Sequence, residues 1–340
     1  MKAVSLLGPG RIAFVDIPEP KPGPDDVIVA VAYVGLCGTD LNAYRGRSPL
    51  VSYPRIPGHE IGGTIVAKGE NVPARIQVGA HATVSPYSHC GTCTACRKGR
   101  VNCCQFNQTL GVQRDGALAE RIAIGYNEVY TSSILSPQEL ALAEPLAVGC
   151  HAANRGRICE ADTVLVLGCG AVGLGAIAAA ARKGASIIGV DVEQAKLDTA
   201  VKLGAGYTVN AATDDTPARV ASITGGEGAG VVIEAAGQPE TYRMAMALAA
   251  STGRVVCVGY ASSSVDLDTT LIVRKELEIL GSRNALDEFR AVIAMLEQRE
   301  RPFADIISRI VEFEQTPQAF ADWSASPQSF TKILVRCGTG

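Results

Sequence analysis

The apolar run Val164-Leu-Val-Leu167 leads into Gly168-Cys-Gly170-Ala-Val-Gly173, and a stretch of small residues then runs to Lys183-Gly184. No other part of the chain restricts the fold as tightly. Segment 186–191 follows as a strand closing on Asp191. Glycine at the first position permits the turn, at the second it lets a pyrophosphate approach the backbone, and at the third it lets helix pack on strand. The order strand, glycine turn, helix, strand, acid describes a dinucleotide-binding unit, with Ala171, Val172 and Gly173 opening the helix whose N-terminus faces the phosphates. Asp191 is positioned to accept hydrogen bonds from the adenosine ribose and to repel a 2′-phosphate, which selects NAD over NADP. Lys196 either flanks the adenosine or is a solvated helix charge.

The alternation continues with a strand at 207–210, a helix opened by Thr216-Pro217, a strand at 230–234, a helix opened by Pro239-Glu240, and strands at 254–259 and 277–280. That predicts six parallel strands between about 162 and 281, a Rossmann doubly wound α/β sheet. Val258 and Gly259, closing the fifth strand, complete the expected cofactor contacts.

The first third of the chain has a different texture. Strand-like runs at 12–17 and 27–34 flank Pro18-Glu-Pro-Lys-Pro-Gly-Pro24, and further strands fall at 64–67 and 79–84, as in a β-rich barrel-like domain. On its loops stand Gly35-Leu-Cys37-Gly-Thr39-Asp40 and Pro57-Gly-His59-Glu60-Ile-Gly-Gly63. Cys37, His59 and Glu60 offer a thiolate, an imidazole and a carboxylate. A zinc with three protein ligands keeps an open position and acts as a Lewis acid toward an alcohol or carbonyl oxygen. Thr39 is placed to pass on the alcohol's proton. Taken singly, such a cysteine or histidine is more often a packed core residue.

Five of the eleven cysteines fall within 90–104, where Cys90-x2-Cys93-x2-Cys96-x7-Cys104 can close a tetrahedron around a structural zinc and pin a loop poor in apolar residues. Cys103, beside the last of them, is a substitute for Cys104 as fourth ligand. The capping signature Ser136-Pro137-Gln138-Glu139 opens a helix, and a second carries the chain past Glu144-Pro145 to about residue 156. Beyond residue 281 come a helix at 287–297, a helix opened by Thr316-Pro317 and a strand at 332–335. With 31 basic and 34 acidic residues and no long basic run, nucleic acid is excluded as a partner. The longest apolar segment, 171–181, is too short to span a bilayer, and residues 1–7 read as a strand rather than a signal peptide. A cytoplasmic protein with no membrane partner is expected.

In this order the motifs closely resemble the zinc-dependent medium-chain alcohol and polyol dehydrogenase family, whose zinc signature Gly58-His59-Glu60-x2-Gly63-x5-Gly69-x2-Val72 fits. The resemblance implies a GroES-like catalytic domain from residues 1–148 and 282–340, carrying the 90–104 lobe, around a Rossmann domain at 149–281. It implies two zinc ions per chain, Glu144 joining Cys37, His59 and Glu60 at the catalytic one directly or through water, and a homodimer or homotetramer. Asn42 stands where many relatives carry a relay histidine, so the proton leaves by cofactor ribose hydroxyls and water, or by another side chain. Segments 52–55 and 281–284 are most similar to aldonate-oxidising members. They point to oxidation of a sugar acid such as L-galactonate at C5, with a neutral polyol, cyclitol or other sugar alcohol as the alternative and a non-catalytic dinucleotide-binding relative as a remote one. Arg45, Arg47, Arg55, Arg114 and Arg283 fall in segments the family folds around its cleft. Arg283, with Asn284 beside it and Arg114 next, is the expected contact for a substrate carboxylate.

Overall fold

The computed structural model describes residues 1–261 and 263–338. Two compact units divide the chain at Glu144/Pro145 and Glu288/Phe289, with Phe289–Glu300 and the segment from Ile307 on joining the first unit and Arg301–Ile306 the second.

In the second unit six parallel strands lie in the order Tyr207–Asn210, Ser186–Asp191, Thr163–Leu167, Ala229–Glu234, Ala249–Cys257, Glu278–Gly281. The strand order reverses between Thr163–Leu167 and Ala229–Glu234, which opens a crevice at their carboxyl ends. Leu165, Leu167, Ile188, Val190 and Val232 fill the core beneath. The fifth strand ends at Cys257, so Val258 and Gly259 lie on the loop after it. A helix at Thr269–Lys275, which the sequence reading lacked, precedes the last strand.

The first unit is built on the long strand Asp26–Leu36, whose residues Val27, Val29, Val31 and Val34 enter the core. It pairs with Glu60–Lys68, Lys332–Arg336 and Arg121–Gly125. Registers here decide chemistry: Gly35 lies opposite Glu60, and Ile333 opposite Leu36. Cys37, Glu60 and Lys332 are thereby delivered to one end of three adjacent strands. Two expectations need correction. Thr39 is not on a loop: Cys37, the one residue between strand Asp26–Leu36 and helix Gly38–Tyr44, caps that helix, in which Asp40 accepts from the Cys37 amide at 2.9 Å. Glu60 opens its strand, which begins before residue 64 because Gly62 and Gly63 pair within the ladder. A Cβ on Gly62 would stand 1.7 Å from the Pro137 carbonyl, so this glycine serves close packing and not a turn. The strand Ile307–Glu312 lies outside the segments that the sequence predicts.

Candidate active site

The ligand atoms of Cys37, His59 and Glu60 all lie within 4.8 Å of one another, with His59 and Glu60 buried. Asp40 braces them: its Oδ1 accepts from the Gly58 amide at 3.3 Å and stands 3.9 Å from His59 Nδ1. Burial disfavours charge on His59, yet Cys37, Asp40 and Glu144 outweigh it and hold the imidazole well above its ordinary pKa. So many negative donors around one ring describe a pocket built for a cation. Among the described residues, His59 Nδ1 and Glu60 Oε2 are buried without a hydrogen-bond partner. Such orphans cost about 1–3 kcal/mol each unless something beyond the polypeptide satisfies them. A sulfur, a nitrogen and a carboxylate oxygen suit Zn²⁺, so the residues fit the metal that the sequence implies.

Two further side chains escaped the sequence reading. Lys332 Nζ, buried, donates to Glu60 Oε1 at 2.5 Å and to the Leu36 carbonyl at 3.0 Å. Burial works against its charge, but Glu60 and Cys37 prevail and raise its pKa. The Tyr87 hydroxyl donates to Glu144 Oε1. Neither carries a local signal, because each meets its partner only after folding. Glu144, buried on the first turn of helix Ala143–Arg155, is not one of the three clustered ligands. Thr39 Oγ1 lies 3.8 Å from Cys37 Sγ, while Asn42 on the same helix is exposed.

In the 90–104 lobe the sulfur separations are 3.5 Å for Cys93–Cys96, 3.6 Å for Cys90–Cys104, 3.9 Å for Cys93–Cys104 and 4.0 Å for Cys90–Cys96. A tetrahedron with Zn–S bonds of about 2.3 Å has edges of about 3.8 Å. Cys103 is outside this group, which leaves Cys104 as the fourth sulfur. Hydrogen bonds from the Thr92 hydroxyl and the Thr92 and Cys93 amides bring the Cys90 thiol down to about 6.

In the second unit Gly168 turns at φ +98° and Gly170 caps the helix Ala171–Arg182 without any side-chain cap, leaving the first-turn amides of Ala171, Val172 and Gly173 facing outward. A Cβ on Gly173 would stand 1.8 Å from the Gly168 carbonyl, whereas one on Gly170 would meet nothing within 4 Å. The protein's own packing therefore explains Gly173 but not Gly170, and the open face at Gly170 fits a pyrophosphate. Asp191 is fixed by the Cys169 and Val192 amides, both at 2.8 Å, and the Glu193 amide at 3.0 Å. Lys196 is half-buried on helix Gln194–Leu203. The amides of Val258 and Gly259 bond to the Glu234 carbonyl at 2.9 and 3.1 Å, which holds that loop at the crevice strand.

The arginines divide. Arg55 pairs with Asp115 at 2.9 Å, Arg114 with Glu128 at 3.5 Å, and Arg45 donates to Ser324. Arg47 is exposed. Arg283 and Asn284 follow the edge strand Glu278–Gly281, Asn284 at φ +55°.

Residues 23–133 match the alcohol dehydrogenase GroES-like domain, and residues 171–298 match the zinc-binding dehydrogenase family. The chain is 36% identical to an uncharacterized zinc-type alcohol dehydrogenase-like protein of Haemophilus influenzae, covering 98% of each. It is 36% identical to the sorbitol dehydrogenase of Bacillus subtilis over 98% of this chain and 97% of that one. With the L-galactonate-5-dehydrogenase of Escherichia coli K12 it shares 34% identity over 90% of each. Among solved structures, the rspB alcohol dehydrogenase of E. coli CFT073 complexed with NADH superposes with TM-score 0.90 at 28% identity, over 99% of both chains. A zinc-binding dehydrogenase from Sinorhizobium meliloti bound to NADP does so with TM-score 0.90 at 32% identity, over 98% of both. The chain therefore belongs to the zinc-dependent medium-chain alcohol and polyol dehydrogenase family and is an oxidoreductase.

Proposed function

We propose that the chain oxidises a secondary hydroxyl of a sugar acid, an aldonate such as L-galactonate, to the keto acid, with NAD as acceptor and a zinc held by Cys37, His59 and Glu60. The observation that carries the reading is the buried Cys37–His59–Glu60 cluster with its two unpartnered atoms. When bound, the zinc supplies Lewis-acid polarisation of the substrate oxygen and NAD accepts the hydride.

The chain's own residues do the rest. Thr39 Oγ1, beside the Cys37 sulfur, takes the proton of the substrate hydroxyl. Asn42, exposed on the same helix, cannot change charge and so does not take that proton up in turn. Asp40 fixes the peptides that carry Cys37 and Gly58, and so the angle at which Cys37 and His59 meet. Asp191, held by three amides, sets a fixed negative charge where a 2′-phosphate would lie, which favours NAD.

The sugar-acid reading draws on Arg283 and Asn284 and on the likeness to L-galactonate-5-dehydrogenase. A neutral polyol is the second reading, favoured by the pairing of Arg55 and Arg114 with acids of the chain itself and by the likeness to sorbitol dehydrogenase. Comparing kcat/KM for an aldonate and for its neutral polyol decides between them. The proposal expects the aldonate to lead by tenfold or more, since a charge-assisted contact contributes roughly 1.5–3 kcal/mol. Equal values would discard the carboxylate contact.

A further inference from the structure

Two carboxylates surround the Cys37–His59 pair, and the fold tethers them by different chemistry. Glu60 is bound through Oε1 to the ammonium of Lys332, which cancels its charge. Glu144 is bound through Oε1 to the phenol of Tyr87, a neutral donor that leaves the charge in place. No described hydrogen bond reaches Glu144 Oε2. Tyr87 stands just past the strand His81–Val84, whose register against Glu60–Lys68 sets Ala82 opposite Gly63, so the tether comes from the sheet that carries Glu60.

We propose that Tyr87 is a positioning residue for Glu144: by holding Oε1 it leaves Oε2 as the one uncommitted oxygen, making Glu144 a single-atom, exchangeable donor to the metal of the Cys37–His59–Glu60 cluster. The inference rests on the zinc reading above. A carboxylate with both oxygens free would either chelate with both or swing out of the cluster. Hydrogen-bonded partners of metal ligands typically contribute 10–100-fold to metal affinity.

The test is chelator competition on the purified full chain, with release of the two zinc ions followed separately. The Cys90–Cys93–Cys96–Cys104 zinc serves as an internal reference. Tyr87→Phe keeps the ring and removes only the hydroxyl. The expected result is that the Y87F protein gives up the catalytic zinc at a chelator activity about 10–100-fold lower while the four-cysteine zinc is unmoved. In the E144A background, Y87F should add no further loss, because the tyrosine acts through Glu144. Unchanged release from Y87F, an equal loss of both metals, or an effect that persists undiminished in E144A would overturn the proposal. Wild-type protein holding only the four-cysteine zinc would instead sink the zinc reading beneath it, and the inference with it.

Discussion

Lys332 does for Glu60 what no neighbour in sequence does. The pair lies 272 positions apart, both side chains are almost fully buried, and Glu60 Oε2 already lacks a hydrogen-bond partner. In protein stripped of zinc by a chelator, replacing the ammonium in K332M leaves a buried carboxylate uncompensated, with an expected loss of about 3–5 kcal/mol in urea denaturation. K332M/E60Q should recover most of it, and equal stability of K332M and wild type would contradict the pairing. At this scale the sequence pointed to three side chains that the fold brings together and hid their support. Cys37, His59 and Glu60 were legible because glycine-flanked Cys-x-Thr and His-Glu pairs stand close together. Lys332 and Tyr87 were not, since strand register brings them in. Asp40 carries a usable signal: an acid three residues after the capping position marks the helix Gly38–Tyr44.

Among elements, the turn from strand Thr163–Leu167 into helix Ala171–Arg182 is the most legible, because Gly168 and Gly173 answer to local sterics. The structure separates the duty of Gly170 from theirs. Gly170→Ala meets no protein atom, so it should leave stability within about 0.5 kcal/mol of wild type. It should nonetheless weaken NADH binding tenfold or more, read by quenching or transfer of nicotinamide fluorescence. Gly173→Ala drives a Cβ into the Gly168 carbonyl and should lower stability and binding together. A G170A protein with normal NADH affinity would remove the phosphate role from that turn. The start of strand Glu60–Lys68 is hidden in the sequence for the opposite reason: Gly62 and Gly63 mimic a turn, yet serve to let the Pro137 and Ala30 carbonyls approach.

Over the whole molecule, both kinds of domain were legible, and the interleaving of their chain segments was less so. Glu288 is the last residue before the chain returns to the first unit. Its Oε1 bonds His151 Nδ1 at 2.8 Å and accepts from Asn154 at 3.2 Å, and its Oε2 accepts from the Leu286 amide at 2.7 Å. Burial pushes this carboxyl up, but these donors outweigh it and set the folded pKa below 4.5. Its contribution to stability is thus complete above that value and is lost as pH falls through the lower folded one. Urea midpoints taken on descending pH should fall more steeply below 4.5 for wild type than for E288Q, and parallel curves would deny the linkage. No helix among the described residues is long and apolar enough to cross a membrane.

Everything proposed about chemistry requires a reactive metal in the first unit, separate from the one that ties the cysteine lobe. Zinc per chain, measured by elemental analysis on wild type and H59A side by side, tests this directly. The account predicts about two for wild type and about one for H59A. One zinc in both proteins would contradict it.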